Sequence, residues 1–551
     1  MTIMNNRLFK YIAPAALGAV LMVGGLTSCS DELEQSVIDE QTNTTLDKTG
    51  LLAKIYSSLT ITGQIGGSGN PDMSQFDEGN SSFYRRIFEA NELCSDECIW
   101  TWQGDAGIPE LTNISWNSSH GYNELTYYRI MYNITLCNFY LDETQGDSDA
   151  QTLQYRAEVR FMRALFYYYF MDLYGRAPFK ENFDDSLPTE ILRSDLFNYV
   201  VAELKSINGE DAEAKEVLLD NANSEQNYGR ADKVAANLLL ARIYLNAKVY
   251  TGTEHWADAA DYAQKVIDSG YSLCTEGKNG YSAYQQLFMG DNGENPEARK
   301  EIIFPIRCEG ATSRSYGGSV YTIASTTGNG TPAQGLAKSQ WTCNRARVAL
   351  IQKFFPDTTK VIYTNDIDKL TETAGDERAI FFSGQNEGGK DRRWISTEEK
   401  TEFSAGLGIM KWTNEYCNGG TPSDVAFSDA DVPFFRLAEA YLTLAEANYR
   451  NGGDNKTSLD AINTLRDRAH AARIESISEQ DLIDEWCREF YFEGRRRSDL
   501  VRFGLFTSGA YLWDWKGGSF AGNGVSSIYN LYPIPANELN ANDNMHQNPG
   551  Y

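Results

Sequence analysis

The sequence predicts an all-α protein: a scaffold of helical hairpins that carries long loops and short strands. Two observations lead there. Apolar residues recur at helical spacing in paired stretches, each pair split by a glycine-containing break. These pairs gather in two blocks, roughly residues 120–270 and 430–505, and between them the text turns to Gly, Ser, Thr, Asn and aromatic residues. A chain of 551 residues has ample length to bury a large core.

The elements follow in order. The chain opens MTIMNNRLFK, with Arg7 and Lys10, and continues YIAPAALGAVLMVGGLTSC, apolar but too short and too rich in small residues for a membrane span. Residues 1–28 therefore read as a bacterial export signal. Leu26-Thr27-Ser28-Cys29 resembles the lipobox of bacterial lipoproteins, which implies lipidation of Cys29 and anchoring without spanning. An ordinary secretion signal that ends near a cysteine is the alternative. Residues 29–48 read as a polar tether, and the acidic run Ser30-Asp31-Glu32-Leu33-Glu34 resembles a lipoprotein surface-export signal.

Residues 49–551 read as one domain. Ala236, Leu239, Leu240, Ile243, Tyr244 and Ala247 keep helical spacing, and after Thr251-Gly252-Thr253 a second helix runs through Trp256, Ala260, Ala263 and Ile267. Leu437, Tyr441, Leu444 and Ala445 repeat the pattern, Asn451-Gly452-Gly453 stops it, and Leu459, Ile462 and Leu465 begin the partner. The spacing of small and large residues resembles tetratricopeptide repeats. Residues 157–174, apolar on nearly every face, predict a buried helix, and 482–492 predict another; neither has a clear partner. Residues 62–118 and 271–430 read as loops and short strands, and loops that long are usually functional.

A formal charge of -27, two units more negative once Arg7 and Lys10 leave with the signal, repels phosphate backbones and argues against nucleic-acid partners. Nine cysteines, Cys29 among them, include no CxxC pair; Cys94 and Cys98 stand at i, i+4, which supports zinc weakly and leaves disulfides open.

The most specific text is "RAEVRFMRALFYYYFMDLYGRAPF" at 156–179, "FFRLAEAYLTLAEANYRNGG" at 434–453, "EFYFEGRRRSDLVRFG" at 489–504 and the closing "LYPIPANELNANDNMHQNPGY". With the lipobox, these stretches resemble the SusD/RagB family of outer-membrane nutrient-binding lipoproteins. "NELCSDECIWTWQ", "SRSYGGSVY", "RARVALIQKFF" and "LWDWKGG" bring the chain nearest to the starch-binding members. The resemblance implies a tetratricopeptide-like scaffold whose loops present a glycan site, with no catalysis. It implies starch, amylopectin, maltooligosaccharides and cyclodextrins as ligands, and a place on the cell surface as a lid over a SusC-type TonB-dependent transporter.

Glycans bind through aromatic faces that stack on sugar rings and planar polar groups that bond hydroxyls. Carried over by motif, Trp102 of "WTW", Tyr316 and Trp341 form the family's aromatic arc. Trp100 could stand in the arc instead, since side chains two apart share a side only where the segment is cleanly extended. The expectation is one indole toward sugar and the other inward; both in the core is the competing reading. Asp77 and Arg85 match the family's hydroxyl-binding pair. Asp105 stands where the family has an asparagine, so that position accepts but cannot donate, and a shifted glycan preference follows.

SusD-like calcium binding suggests Asp429 and Asp431, with Asp291, as hard oxygen ligands; Gly293 stands where an acidic residue is expected, and solvated loop carboxylates are the alternative. Beyond such a structural calcium no cofactor is called for. Arg495, Arg496, Arg497 and Arg502, with Glu493 and Asp499 as partners, read as an ion network rather than a phosphate site. The rival functions are a glycoside hydrolase acting on the same glucans, a binder of a different glycan, and a protein-interaction scaffold. No acid–nucleophile pair stands out, His120, His255, His470 and His546 lack a nucleophile context, and no G-x-S-x-G occurs.

Overall fold

Periodic apolar text becomes helix where the sequence analysis placed it. The computed structural model describes residues 46–63, 67, 71–73, 79–386 and 392–551. The export signal, nearly all of the tether, Cys29 and Asp77 lie outside the described residues. The helices of the first half are α1 (Lys48–Ser57), α2 (Phe83–Glu92), α3 (Ile108–Asn113), α4 (Gly121–Glu143), α5 (Ala150–Leu173), α6 (Arg193–Ile207), α7 (Lys233–Leu245), α8 (Ala247–Thr251) and α9 (Trp256–Ile267). The middle block adds α10 (Ala283–Gln286), α11 (Pro296–Arg299), α12 (Ser319–Ala324), α13 (Val348–Phe354) and α14 (Ile367–Ala374). The last third holds α15 (Leu437–Arg450), α16 (Asn455–Arg468), α17 (Glu479–Phe490), α18 (Arg496–Arg502) and α19 (Ala536–Ala541).

Eight short strands pair two by two, each pair antiparallel: β1 (Cys98–Trp100) with β5 (Asn344–Ala346), β2 (Arg176–Phe179) with β3 (Thr189–Leu192), β4 (Ile302–Ile306) with β8 (Val432–Arg436), and β6 (Phe381–Phe382) with β7 (Gly408–Ile409). The protein is thus mostly helical, as expected. No described helix is long and apolar enough to cross a membrane.

The helices pack in succession: α4 on α5, α5 on α6, α6 on α7, and then α9 between α7 and α15, with α16 on α15. Both predicted hairpins are present. Gly252, at φ 79°, caps α8 and makes the turn into α9, a left-handed position that glycine adopts without strain. Helix α5 explains its text, since from Ala157 to Tyr174 every residue but Arg160 is buried. Phe161, Phe166 and Phe170 are fully enclosed there, each ring contributing about 1.5–3 kcal/mol of burial.

One expectation is corrected. Residues 62–118 are not only loop, because α2 (FYRRIFEANE) runs through them, capped by the Ser82 side chain on the Arg85 N–H. Its charged residues hid it. Arg86 and Glu89 are buried and paired with each other, so the helix buries its charged side as well as the apolar stripe of Phe83, Tyr84, Ile87 and Phe88.

A lattice of enclosed charges ties the last third together. Arg436 bonds Glu489 at 2.6 Å and Glu493 at 2.7 Å, Arg468 reaches Glu301 at 3.0 Å and also pairs with Glu489, and Arg378 joins Glu485 at 2.7 Å and Glu489 at 3.1 Å. Burial alone would push the Glu489 carboxyl up, yet Arg468, Arg436 and Arg378 hold it well below the usual carboxylate range. Glu493 therefore serves Lys411 and Arg436, not the arginine run behind it as expected. That run is a network nonetheless: Arg495 and Arg502 both pair with Asp499, Arg502 adds Glu446, and Arg497 donates to the Asn530 carbonyl of the C-terminal tail. Arg496 reaches Asp96 at 2.7 Å, directly ahead of the two indoles. All eight cysteines after Cys29 are unpaired thiols.

Candidate functional site

Strand β1 settles how the indoles divide. Cys98, Ile99 and Trp100 pair with Ala346, Arg345 and Asn344, which places Trp100 inside the fold at 3 % exposure. The chain then leaves the extended conformation, since Gln103 N–H turns back to the Thr101 carbonyl and Asp105 N–H to that of Trp102. With the alternation of a strand broken, Trp102 faces outward at 39 % exposure. Its ring meets Trp100 edge-on at 5.7 Å.

From there a row of rings crosses the loop block. Trp100 stacks on Tyr321 of α12 (6.0 Å, 15°), Tyr321 neighbours Trp341 at 6.3 Å, Trp341 neighbours Tyr316 at 6.1 Å, and Tyr316 meets Phe427 at 5.0 Å. Trp341 and Tyr316 are half-buried, as a ring must be if one face packs and the other is presented. Gly67 approaches this end so closely that a Cβ there would lie 3.0 Å from Phe427 and 3.1 Å from Tyr316.

Arg85 enters from α2. Its guanidinium lies 4.6 Å from the Tyr321 ring centre and 5.9 Å from that of Trp341, while its Nε donates to Glu89 at 2.8 Å. The cation is held over the aromatic row, with part of its fork committed to Glu89 and to the Gly79 carbonyl. Asp105 sits exposed on the turn after Trp102. The structure therefore gathers Trp100, Trp102, Tyr316, Trp341 and Arg85 into one neighbourhood, with Asp105 on the turn beside Trp102.

Two members of the row were missed in the sequence. Tyr321, fully buried, joins Trp100, Trp341 and Arg85, and Phe427 extends the row beyond Tyr316. Tyr321 lies in the same "SRSYGGSVY" that supplied Tyr316, but loop text without periodicity gives no sign of which ring packs.

The aspartates suggested for calcium are otherwise engaged. Asp291 accepts from the Cys417 and Asn418 N–H groups, both at 2.9 Å, and Asp429 from the N–H groups of Gly310 (2.8 Å) and Ser423 (2.7 Å) and from the Tyr416 hydroxyl (2.9 Å). Asp431 accepts from the Cys308 N–H at 2.8 Å and faces Arg307 at 3.1 Å. Burial pushes its carboxyl up to about 6, against the pull of Arg307. Each of the three accepts from donors of the fold, Glu294 lies near enough to Asp431 to push its carboxyl up further, and no group of three or more His, Cys, Asp or Glu among the described residues is placed to hold an ion. The residues as placed do not fit a calcium cage. Apart from the rings, a polar cleft of about 640 Å³ opens between the 277–282 turn and α14, but Asn279, Gln285 and Thr371 in its walls already bond within the fold.

A helical-hairpin scaffold that lifts a row of rings onto its loop face is the architecture of a binding protein. This chain belongs to the SusD family. A family model described as "SusD family" matches residues 300–551, and another, "Starch-binding associating with outer membrane", matches residues 33–245. The starch-binding protein SusD of Bacteroides thetaiotaomicron is 46 % identical, the match covering 100 % of each chain. SusD-like protein P25 of Formosa agariphila is 25 % identical over 75 % of this chain and 76 % of its own. Among solved structures, surface glycan-binding protein A of Bacteroides thetaiotaomicron in complex with laminarihexaose shares the fold with a TM-score of 0.66, at 18 % identity over 91 % of this chain and 98 % of that one. A SusD-like protein of Bacteroides fragilis gives 0.67 at 18 % identity, over 92 % and 96 %.

Proposed function

We propose that the chain is a non-catalytic cell-surface lipoprotein that captures starch and maltooligosaccharides and hands them to a SusC-type TonB-dependent transporter. One observation carries the reading: the rings matched by motif to the family's arc, Trp102, Trp341 and Tyr316, lie along one row, joined through buried Trp100 and Tyr321, and its outer member, Trp102, is exposed at 39 %. Full-length identity of 46 % to a starch-binding protein supports α-glucan as the ligand.

The chemistry is stacking with polar trim. Trp102, Trp341 and Tyr316 offer flat faces to the C–H faces of successive glucose units, each stack contributing about 1 kcal/mol beyond area burial. Arg85 donates to hydroxyl oxygens, and Asp105 accepts from hydroxyl hydrogens. A few stacks and bonds on an open face give modest affinity, as suits a protein that must release its ligand to a partner. Lipidation at Cys29 would hold it at the outer membrane, the site named in the description of the family model matching residues 33–245. No bound metal enters this reading.

Electrophoresis through gels containing amylopectin, β-glucan or pectin tests it. Retardation in amylopectin alone is expected, and mobility equal to the blank gel contradicts it. Incubation with maltoheptaose should leave the chain length intact; shorter products would favour the hydrolase reading.

A further inference from the structure

The turn that carries Trp102 and Asp105 ends at Gly107, and a buried histidine grips that end. His120 is 5 % exposed and immediately precedes α4. Its Nδ1 accepts from the Asn123 backbone N–H at 3.2 Å, which caps the helix, and its Nε2 lies 2.9 Å from the Gly107 carbonyl oxygen. A carbonyl can only accept and an N–H can only donate. Both bonds therefore require the neutral ring with its proton on Nε2. Gly107 is also closely packed: at φ 92°, a Cβ there would lie 2.7 Å from the Tyr122 ring and 3.0 Å from His120 Nε2. Between Trp102 and Gly107 the turn holds itself by Asp105 N–H to the Trp102 carbonyl and Ile108 N–H to the Asp105 carbonyl.

We infer that His120 is the positioning residue of the Trp102–Asp105 turn: its neutral imidazole ties the Gly107 carbonyl to the start of α4 and so fixes the indole and carboxylate that face the ligand. The role at the ligand rests on the glycan-binding reading; the clamp itself does not. Protonation would put a hydrogen on Nδ1 directly against the Asn123 N–H. The cap is then lost, while Nε2–H still donates to the Gly107 carbonyl, which also accepts from the Leu111 N–H.

Three neighbours face the ring. Arg86 on α2 opposes its protonation, Glu110 on α3 favours it as the Gly107 carbonyl does, and Tyr122 on α4 packs with its ring centre 6.2 Å away. Burial outweighs them and holds the imidazole below its ordinary value. With the folded value depressed, the cap's contribution is whole above the ordinary histidine range and drains as pH falls through the lowered value.

His120→Asn separates clamp from cap, because an asparagine amide ends near the place of Nδ1 and caps helices well, but falls short of Gly107. The variant should melt within about 2 °C of the parent while its backbone amides at 103–108 exchange with solvent roughly tenfold faster. Its maltoheptaose Kd should rise about three- to tenfold. Parental exchange at 103–108 would overturn the inference. Should the parent bind no glucan, the exchange rates still decide the clamp while the binding reading alone fails. Should the variant not fold, nitrogen NMR of the parent decides instead: a proton on Nε2 and titration below the ordinary histidine value support the clamp, and a proton on Nδ1 or ordinary titration contradicts it.

Discussion

The charge lattice around Glu489 and the ring row from Trp100 to Phe427 are both side-chain networks, built to opposite plans. In the lattice, Arg378, Arg436, Arg468, Glu301, Glu485 and Glu489 are all enclosed, and every one meets an opposite charge. The ring row is enclosed at its base, at Trp100 and Tyr321, and at Phe427, half-buried at Trp341 and Tyr316, and open at its rim, at Trp102. A network that closes on itself holds a fold. One that leaves faces unfinished has contacts still to make, and this difference separates scaffold from site within a single chain.

The largest break should come at the closed network. Replacing Glu489 by Leu leaves three buried guanidinium groups short of a partner, and removal of one member of a buried ion pair costs about 3–5 kcal/mol. Denaturant unfolding should show that loss, and a cost below about 1 kcal/mol would mean the lattice does not hold the last third together.

Trp341→Ala probes the open network. Losing a central stack should weaken maltoheptaose binding about thirtyfold or more, near 2 kcal/mol, with cooperative melting retained. If melting is lost instead, Trp341 belongs to the core and the division drawn here is misplaced.

Tyr321→Leu sits where base meets rim, and it should do a little of both. A shortfall of about 1–2 kcal/mol in stability should accompany a severalfold loss of affinity, because Trp100, Trp341 and Arg85 all rest on that ring. A change in only one of the two readouts would show that base and rim are uncoupled.

Asp105→Asn should be the mildest. Sugar hydroxyls donate as well as accept, so exchanging a carboxylate for an amide should shift maltoheptaose affinity by less than about tenfold, 1.4 kcal/mol. A hundredfold change by calorimetry would make Asp105, not the rings, the seat of recognition.

The same contrast explains what was legible in the sequence. The hairpins α7–α9 and α15–α16 were plain because each needs one apolar stripe at helical spacing, and α5 because it is apolar all round. Helix α2 was harder to see, since its stripe of Phe83, Tyr84, Ile87 and Phe88 spans under two turns and charged residues fill the rest, Arg86 and Glu89 being buried against each other. Which indole turns outward was left open because the answer lies in pairing Cys98–Trp100 with Asn344–Ala346, far along the chain. The aspartates 291, 429 and 431 read as metal ligands for a related reason. A sequence shows that a carboxylate can accept but not that backbone N–H groups are already donating to it. His120 stood without a context because its partner Gly107 is a backbone carbonyl, to which side-chain identity gives no clue.

Calorimetric titration of Trp102→Ala with maltoheptaose, run beside a thermal melt, tests the division of scaffold from site most directly. Trp102 is exposed, and among the described residues its ring pairs with that of Trp100 alone. The account predicts affinity weakened about tenfold or more, at least 1.4 kcal/mol, and a melting temperature within about 1 °C of the parent. Parental affinity, or a melting transition lowered by several degrees, would contradict it.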